Sequence, residues 1–119
     1  MLAAIADALG RGDTAALVSL LHPEAVLVSD GGGMAPAARR VVYGADKVAR
    51  LLVGLTSRHG QWLEAAVPVL VNGEQGVWIP GDGDAPESVT VFILAEGRVA
   101  ACYSILNPAK LSHWRRPPR

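Results

Sequence analysis

The sequence predicts an α+β fold in which helices pack against an antiparallel sheet. Three observations predict this class: apolar residues at helical spacing at the start of the chain, a helical stripe after residue 45, and strand-like apolar runs separated by turn residues from residue 60 onward. Of the 119 residues, 50% are hydrophobic and 18% are charged, which is the composition of one globular domain with a single core.

A helical hairpin is predicted first. Apolar residues at helical spacing run from Leu2 to Leu9, and Gly10-Arg11-Gly12 ends this first helix. Asp13 has the position and residue type of an N-cap for a second helix. His22-Pro23 closes that helix because the residue before a proline is disfavoured in helical geometry. We therefore expect His22 at the helix C-terminus, where it complements the helix dipole.

Two short extended segments flank a glycine-rich stretch. A strand is predicted from Ala25 to Ser29, and a second extended piece from Arg40 to Tyr43. After the first, Asp30-Gly31-Gly32-Gly33 frees the backbone from the limits that a side chain imposes, so the chain turns tightly or admits another group close to the main chain. Gly44-Ala45-Asp46 then opens a third helix. Its apolar stripe follows the i, i+3, i+4, i+7 spacing: Val48, Leu51, Leu52 and Leu55.

From residue 60 the pattern is that of a sheet. Gln61 to Val71 is predicted as a long strand, in which Pro68 indicates a bend or an edge position. Asn72-Gly73 predicts a hairpin turn of type I′, which needs positive φ at both central residues. A second hairpin is predicted around Glu96-Gly97. The remaining predicted segments are the strand Gly76 to Ile79, the exposed loop Pro80 to Pro86, and the strands Ser88 to Leu94 and Arg98 to Leu106.

The charge distribution and the absence of targeting signals exclude several classes of function. Four basic residues lie in the last ten positions, and without them the body has 7 basic residues against 11 acidic ones. An acidic body argues against a nucleic-acid-binding face on the domain. The sequence has no signal-peptide start, no apolar run long enough for a membrane span, and a single cysteine, so a cytoplasmic protein without a membrane partner is predicted. We assign residues 1–111 to the domain and residues 112–119 to a flexible basic tail.

Several short motifs together resemble one known group. They are Ser29-Asp30-Gly31-Gly32-Gly33, Pro36-Ala37-Ala38-Arg39-Arg40, Tyr43-Gly44-Ala45-Asp46, Val71-Asn72-Gly73-Glu74 and Asn107-Pro108-Ala109-Lys110-Leu111. The chain resembles the C-terminal SnoaL-like extension of SigJ-like extracytoplasmic-function sigma factors, within the nuclear-transport-factor-like superfamily. The resemblance implies a cystatin-like cone, in which the helix hairpin and the third helix pack on a curved antiparallel sheet.

The same resemblance implies a regulatory role. In that family the extension follows two helical domains that bind RNA polymerase and promoter DNA, and it modulates transcription initiation by contacting those domains or the polymerase. The Asp-Gly-Gly-Gly loop is implicated in the contact. The partner-binding residues implied here are Asp30, Gly31, Gly32, Gly33, Arg39 and Arg40.

Other interpretations of these residues stay open. Asp30 fits a loop cap that accepts the following amide hydrogens, a partner contact, or a general base in an apolar cone. Arg39 and Arg40 are adjacent, so in an extended segment one points inward, where it could pair with Asp30 or Glu64, and the other outward. The alternative function is a stand-alone SnoaL-like ligand-binding protein or enzyme, a cyclase, isomerase or hydrolase, with Asp30 as base.

The aromatic residues are candidates for a ligand pocket. A small apolar ligand in the cone would be lined by Tyr43, Trp62, Trp78 and Tyr103, although such rings more often belong to the core. Cys102 lies mid-strand and is predicted to be a small buried hydrophobe. The histidines have no metal-ligand spacing, so neither a metal nor a cofactor is expected. A binding role is favoured over an enzymatic one. A homodimer is a further possibility, through an apolar sheet face formed by Val69, Val71, Val89, Val91 and Ile93.

Overall fold

The residues that the structure describes form four helices and one six-stranded sheet. The computed structural model describes residues 1–30, 40–58, 61–80 and 87–106. In chain order the elements are α1 (Leu2–Gly10), α2 (Thr14–Leu20), β1 (Leu21–Asp30), β2 (Arg40–Tyr43), α3 (Ala45–Arg58), α4 (Gln61–Ala65), β3 (Val67–Val71), β4 (Glu74–Ile79), β5 (Ser88–Ala95) and β6 (Arg98–Leu106). None of the described helices is long and apolar enough to cross a membrane. The predicted α+β class is confirmed.

The strand order across the sheet is β2-β1-β6-β5-β4-β3. Strands β3 to β6 form the predicted antiparallel meander, and β2 also pairs with β1 in an antiparallel manner. Among the described strands, only β1 and β6 run parallel, and this pairing joins two strands that lie far apart in the sequence. Strand β3 is at one edge, as Pro68 indicates, because a proline cannot donate a ladder hydrogen bond. Strand β2 is at the other edge.

The helix hairpin follows the sequence pattern at its start but not at its end. Asp13 caps α2, and its Oδ1 accepts a hydrogen bond from the Ala16 amide at 3.0 Å. The prediction for His22 is wrong, because α2 ends at Leu20 and β1 begins one residue later. Leu21 is buried and pairs with Val99 of β6, so core packing starts the strand before the proline. The His22 Nδ1 instead accepts a hydrogen bond from the backbone N–H of Glu24, with an N–N distance of 3.1 Å.

The long strand predicted from Gln61 is also wrong in its first half. Residues 61–65 form α4, and the strand begins at Val67. Four of the five residues in Gln61–Ala65 are good helix formers, so this segment is helical. The valine-rich segment that favours a strand begins only at β3. The two predicted hairpin turns have the expected backbone: φ is +51° and +83° at Asn72 and Gly73, and +55° and +77° at Glu96 and Gly97.

The sheet has apolar residues on both faces. One face meets the helices in a core that includes Leu17 of α2, Leu27 of β1, Val48 of α3 and Phe92 of β5, all buried. On the other face, Trp78, Val89 and Val91 form a second buried cluster. Successive residues of a strand point to opposite faces, so each strand divides its side chains between the helix-facing side and the outer side. The outer side is the one that carries the second cluster.

Candidate partner-binding surface

The ends of the segment from Asp30 to Arg40 meet at one corner of the sheet. Strand β1 ends at Asp30, whose backbone pairs with Ile105 of β6, and β2 begins at Arg40, which pairs with Ser29. Two of the predicted partner-binding residues are therefore brought together by strand register. Gly31, Gly32, Gly33 and Arg39 lie outside the described residues, and their role stays a prediction.

Arg40 offers an open positive charge at this corner. Its side chain is exposed at the start of the edge strand β2. The ion pairs between described side chains are Arg11 with Asp7 at 2.9 Å, Arg11 with Asp13 at 2.8 Å, and Arg50 with Asp46 at 3.1 Å. Among these described side chains, which do not include that of Asp30, Arg40 pairs with no carboxylate, Glu64 included. A guanidinium in this state is ready to bind a carboxylate in a bidentate manner.

A row of hydroxyl groups extends from Arg40 across the sheet. Ser29 pairs with Ser104 of β6, and Ser104 pairs with Thr90 of β5, so the three side chains share one face. The Oγ atoms of Thr90 and Ser104 lie 3.4 Å apart. This is the helix-facing side, since Leu27 and Cys102, each two residues away on its strand, belong to the helix-facing core. Sequence reasoning missed the row because it depends on strand register, which no local pattern gives.

Three of the predicted pocket-lining rings lie on the outer side of the sheet. Tyr43 is 71% exposed and Tyr103 is 42% exposed, while Trp78 is buried in the outer cluster. The Trp78 indole N–H donates to Oε2 of Glu87 at 2.5 Å. A pocket between the sheet and α3 would be lined by the helix-facing side of the sheet, which carries Phe92 and not these three rings. Nothing is described for the side chain of Trp62, so its pocket role stays a prediction.

Cys102 is a buried, chemically quiet residue, as predicted. It has no exposed surface, and burial raises the pKa of its thiol to about 12. The thiol is therefore protonated at neutral pH, and it cannot act as a nucleophile in the folded protein. In the described ranges, no group of three or more histidine, cysteine, aspartate or glutamate residues is arranged to hold a metal ion.

The comparisons with known proteins point to one group of sigma factors. The chain is 42% identical over 113 residues to the ECF RNA polymerase sigma factor SigJ of Mycobacterium tuberculosis, which covers 88% of this chain and 36% of SigJ. The crystal structure of that SigJ superposes with a TM-score of 0.78 at 35% identity, covering 93% of this chain and 42% of the other. Over most of its length this chain closely matches a segment of the sigma factor SigJ. It spans about two fifths of the length of SigJ, and no family model matches it.

More distant structures confirm the fold that the SigJ resemblance implies. An NTF2-like protein of unknown function from Mesorhizobium loti has a TM-score of 0.59 at 16% identity, covering 89% of this chain and 87% of its own. A protein with a cystatin-like fold from Silicibacter pomeroyi has a TM-score of 0.59 at 16% identity, covering 92% and 74%. At such identities the likeness establishes the SnoaL-like, cystatin-like fold alone.

Proposed function

We propose that this chain is a regulatory interaction domain of an extracytoplasmic-function sigma factor, which modulates transcription initiation by contacting the sigma helical domains or RNA polymerase. The observation that carries the proposal is the 42% identity to SigJ. An alignment covering 88% of a 119-residue chain includes its middle, so the Asp30 to Arg40 stretch lies within it.

The contact surface in this proposal is the corner formed by Asp30 and Arg40. The charge of Arg40 is exposed, and it is not neutralised by any carboxylate among the described side chains. A partner carboxylate placed there would gain a charge-assisted hydrogen bond without breaking an existing ion pair of the described part. Charge reversal at this corner should therefore weaken the contact and leave the fold unchanged.

Binding of the full chain to the remainder of Mycobacterium tuberculosis SigJ, with the matching segment removed, tests the proposal. Both proteins are first checked for folding by circular dichroism, and binding is measured by biolayer interferometry; core RNA polymerase serves as a second probe. We expect the unmodified chain to bind one of the two, and Arg40→Glu and Asp30→Arg each to weaken that binding at least tenfold.

Arg98→Glu is the matched control. Arg98 is also an exposed strand arginine, and it pairs with no carboxylate in the described ranges. It lies six residues before Ser104 on β6, which places it roughly 20 Å from the row that begins at Arg40. Its reversal changes the net charge equally and should leave binding within twofold. Equal losses for Arg98→Glu and Arg40→Glu would indicate unspecific electrostatics, and no binding by the unmodified chain would refute the proposal.

A further inference from the structure

The outer side of the sheet carries an exposed apolar surface next to Arg40. Strand register places Val41, Val28 and Tyr103 in one row across β2, β1 and β6, and it places Tyr43 beside Val26 in the neighbouring row. The two tyrosines are 71% and 42% exposed, and Val41 is 41% exposed. We call this surface the tyrosine patch: Val26, Val28, Val41, Tyr43 and Tyr103.

The exposure is confined to one part of the outer side. Further along the same rows Val91 is 7% exposed, and its neighbours Trp78 and Val89 are 3% and 1% exposed. On the outer side, Trp78, Val89 and Val91 of β4 and β5 are thus buried, while Val41, Tyr43 and Tyr103 of β2 and β6 stay exposed. None of the five patch residues is charged, and an open apolar surface on an otherwise closed face is typical of an interaction site.

The size of the patch argues against a second copy of the chain as its occupant. With about 200 Å² for a tyrosine, the exposed fractions of Tyr43 and Tyr103 correspond to roughly 230 Å² of open ring surface. A stable interface between free proteins buries about 800 Å² on each partner. A contact of this size therefore suits a partner that is already held nearby by a neighbouring contact, which raises its effective concentration.

The corner at Arg40 supplies such a neighbouring contact. Arg40 and Val41 are consecutive in β2, so their side chains lie on opposite sides of the sheet. Strand β2 is also an edge, with one row of backbone groups that no neighbouring strand in the sheet pairs. A partner that binds both Arg40 and the tyrosine patch must therefore pass around this edge.

We infer that the tyrosine patch is a second contact for the partner that binds at Arg40, an inference that rests on the proposed function. Its occupant is an apolar stripe on the sigma helical part, with hydrogen-bond acceptors at its rim for the two phenol groups. Tyrosines suit this role because they bury a large rigid ring at low entropic cost and keep one O–H donor at the edge of the contact. A strongly charged segment does not fit, since the patch offers it no opposite charge.

The test uses the binding assay described above with Tyr43→Thr and Tyr103→Thr. Threonine keeps the strand preference and removes the ring. We expect each variant to bind the SigJ remainder at least tenfold more weakly than the unmodified chain. Leu70→Thr is the matched control, because Leu70 is 73% exposed on β3, at the opposite edge of the sheet. It should bind within twofold of the unmodified chain.

Each outcome decides between the two proposals. If Arg40→Glu weakens binding while both tyrosine variants bind normally, the patch is not a contact and the proposed function stands. If the unmodified chain binds neither probe, both proposals fail. Light scattering should give the monomer mass of 12.4 kDa, and a dimer dissociated by Tyr43→Thr would overturn the assigned occupant. If a variant does not fold, hydroxyl-radical oxidation of both rings in the unmodified chain should fall on complex formation, and unchanged oxidation overturns the inference.

Discussion

At the scale of single residues, the position of Cys102 in the sheet determines its chemistry. Its Cα pairs with Leu27 on one side and Phe92 on the other, so it lies in the middle of the helix-facing core. The thiolate would lose its hydration there without gaining a positive partner, and burial therefore raises the pKa of the thiol to about 12. The residue acts as a small apolar side chain.

This raised pKa predicts a loss of stability at alkaline pH. Below an ordinary thiol pKa of 9.0 the group is protonated in both states, and its contribution to stability is fully present. As the pH rises from there toward about 12, the unfolded thiol ionises and the folded one does not, so unfolding is favoured by up to about 1.4 kcal/mol per pH unit. Between pH 8 and pH 10.5 we expect the chain to lose about 2 kcal/mol more than Cys102→Ala does in urea titrations. Parallel losses in the two proteins would contradict the assigned cause.

The sequence predicted individual residues well where the signal is local. Asp13 was recognised as a cap because capping depends on residue type and on the backbone amide three positions ahead. His22 was misplaced because the pairing of Leu21 with Val99, far along the chain, decides where the strand begins. The exposure of Arg40 agrees with a partner-binding residue, but it does not test the role.

At the scale of elements, one glycine marks a close approach of two strands. Gly76 lies in β4, opposite Val91 of β5. A Cβ at this position would lie 2.7 Å from the carbonyl oxygen of Thr90, which is backbone and cannot rotate away. The pairing of β4 with β5 therefore requires glycine here, although its φ is not in the left-handed region.

Gly76→Ala should consequently destabilise the protein by about 1–3 kcal/mol, because the two strands must separate to admit the methyl group. Gly54→Ala is the matched control. Gly54 lies inside α3 with nothing within 4 Å of the added Cβ, so alanine should stabilise the helix by about 0.5–1 kcal/mol. Thermal unfolding followed by circular dichroism measures both changes. A neutral Gly76→Ala would show that the two strands tolerate a wider separation.

Elements were predictable where both the signal and its cause lie within a few residues. Both hairpin turns were recognised because positive φ favours the glycine that each turn has at its second position, Gly73 and Gly97. Helix α3 was recognised because its apolar stripe is regular. Helix α4 was missed because five residues are too few for a helical period to show. The parallel pairing of β1 with β6 joins two strands that lie far apart in the sequence, and no local pattern encodes it.

At the scale of the whole molecule, the SnoaL-like fold is confirmed. The periodicity of apolar residues alone predicts only helices packed on an antiparallel meander. The cone followed from the motif resemblance, whose residues include Tyr43-Gly44-Ala45-Asp46 and Val71-Asn72-Gly73-Glu74. The tyrosine patch was not predictable, because its members come from three strands and are assembled only by sheet register. The same register placed Tyr43 and Tyr103 on the outer side, away from the pocket for which they were candidates.

A chimera tests how the surfaces work together in a complete sigma factor. The chain replaces the matching segment of Mycobacterium tuberculosis SigJ, and initiation by the reconstituted polymerase is measured in vitro at a SigJ-dependent promoter. Because the two segments share 42% identity and superpose with a TM-score of 0.78, we expect the chimera to initiate within threefold of SigJ. A chimera with Arg40→Glu and Tyr43→Thr should give the level of SigJ lacking the segment, since both contacts around the β2 edge are then removed. A chimera with Arg98→Glu and Leu70→Thr should match the unmodified chimera. If the unmodified chimera is folded but initiates like SigJ lacking the segment, the surfaces of this chain do not serve the same partner as those of SigJ.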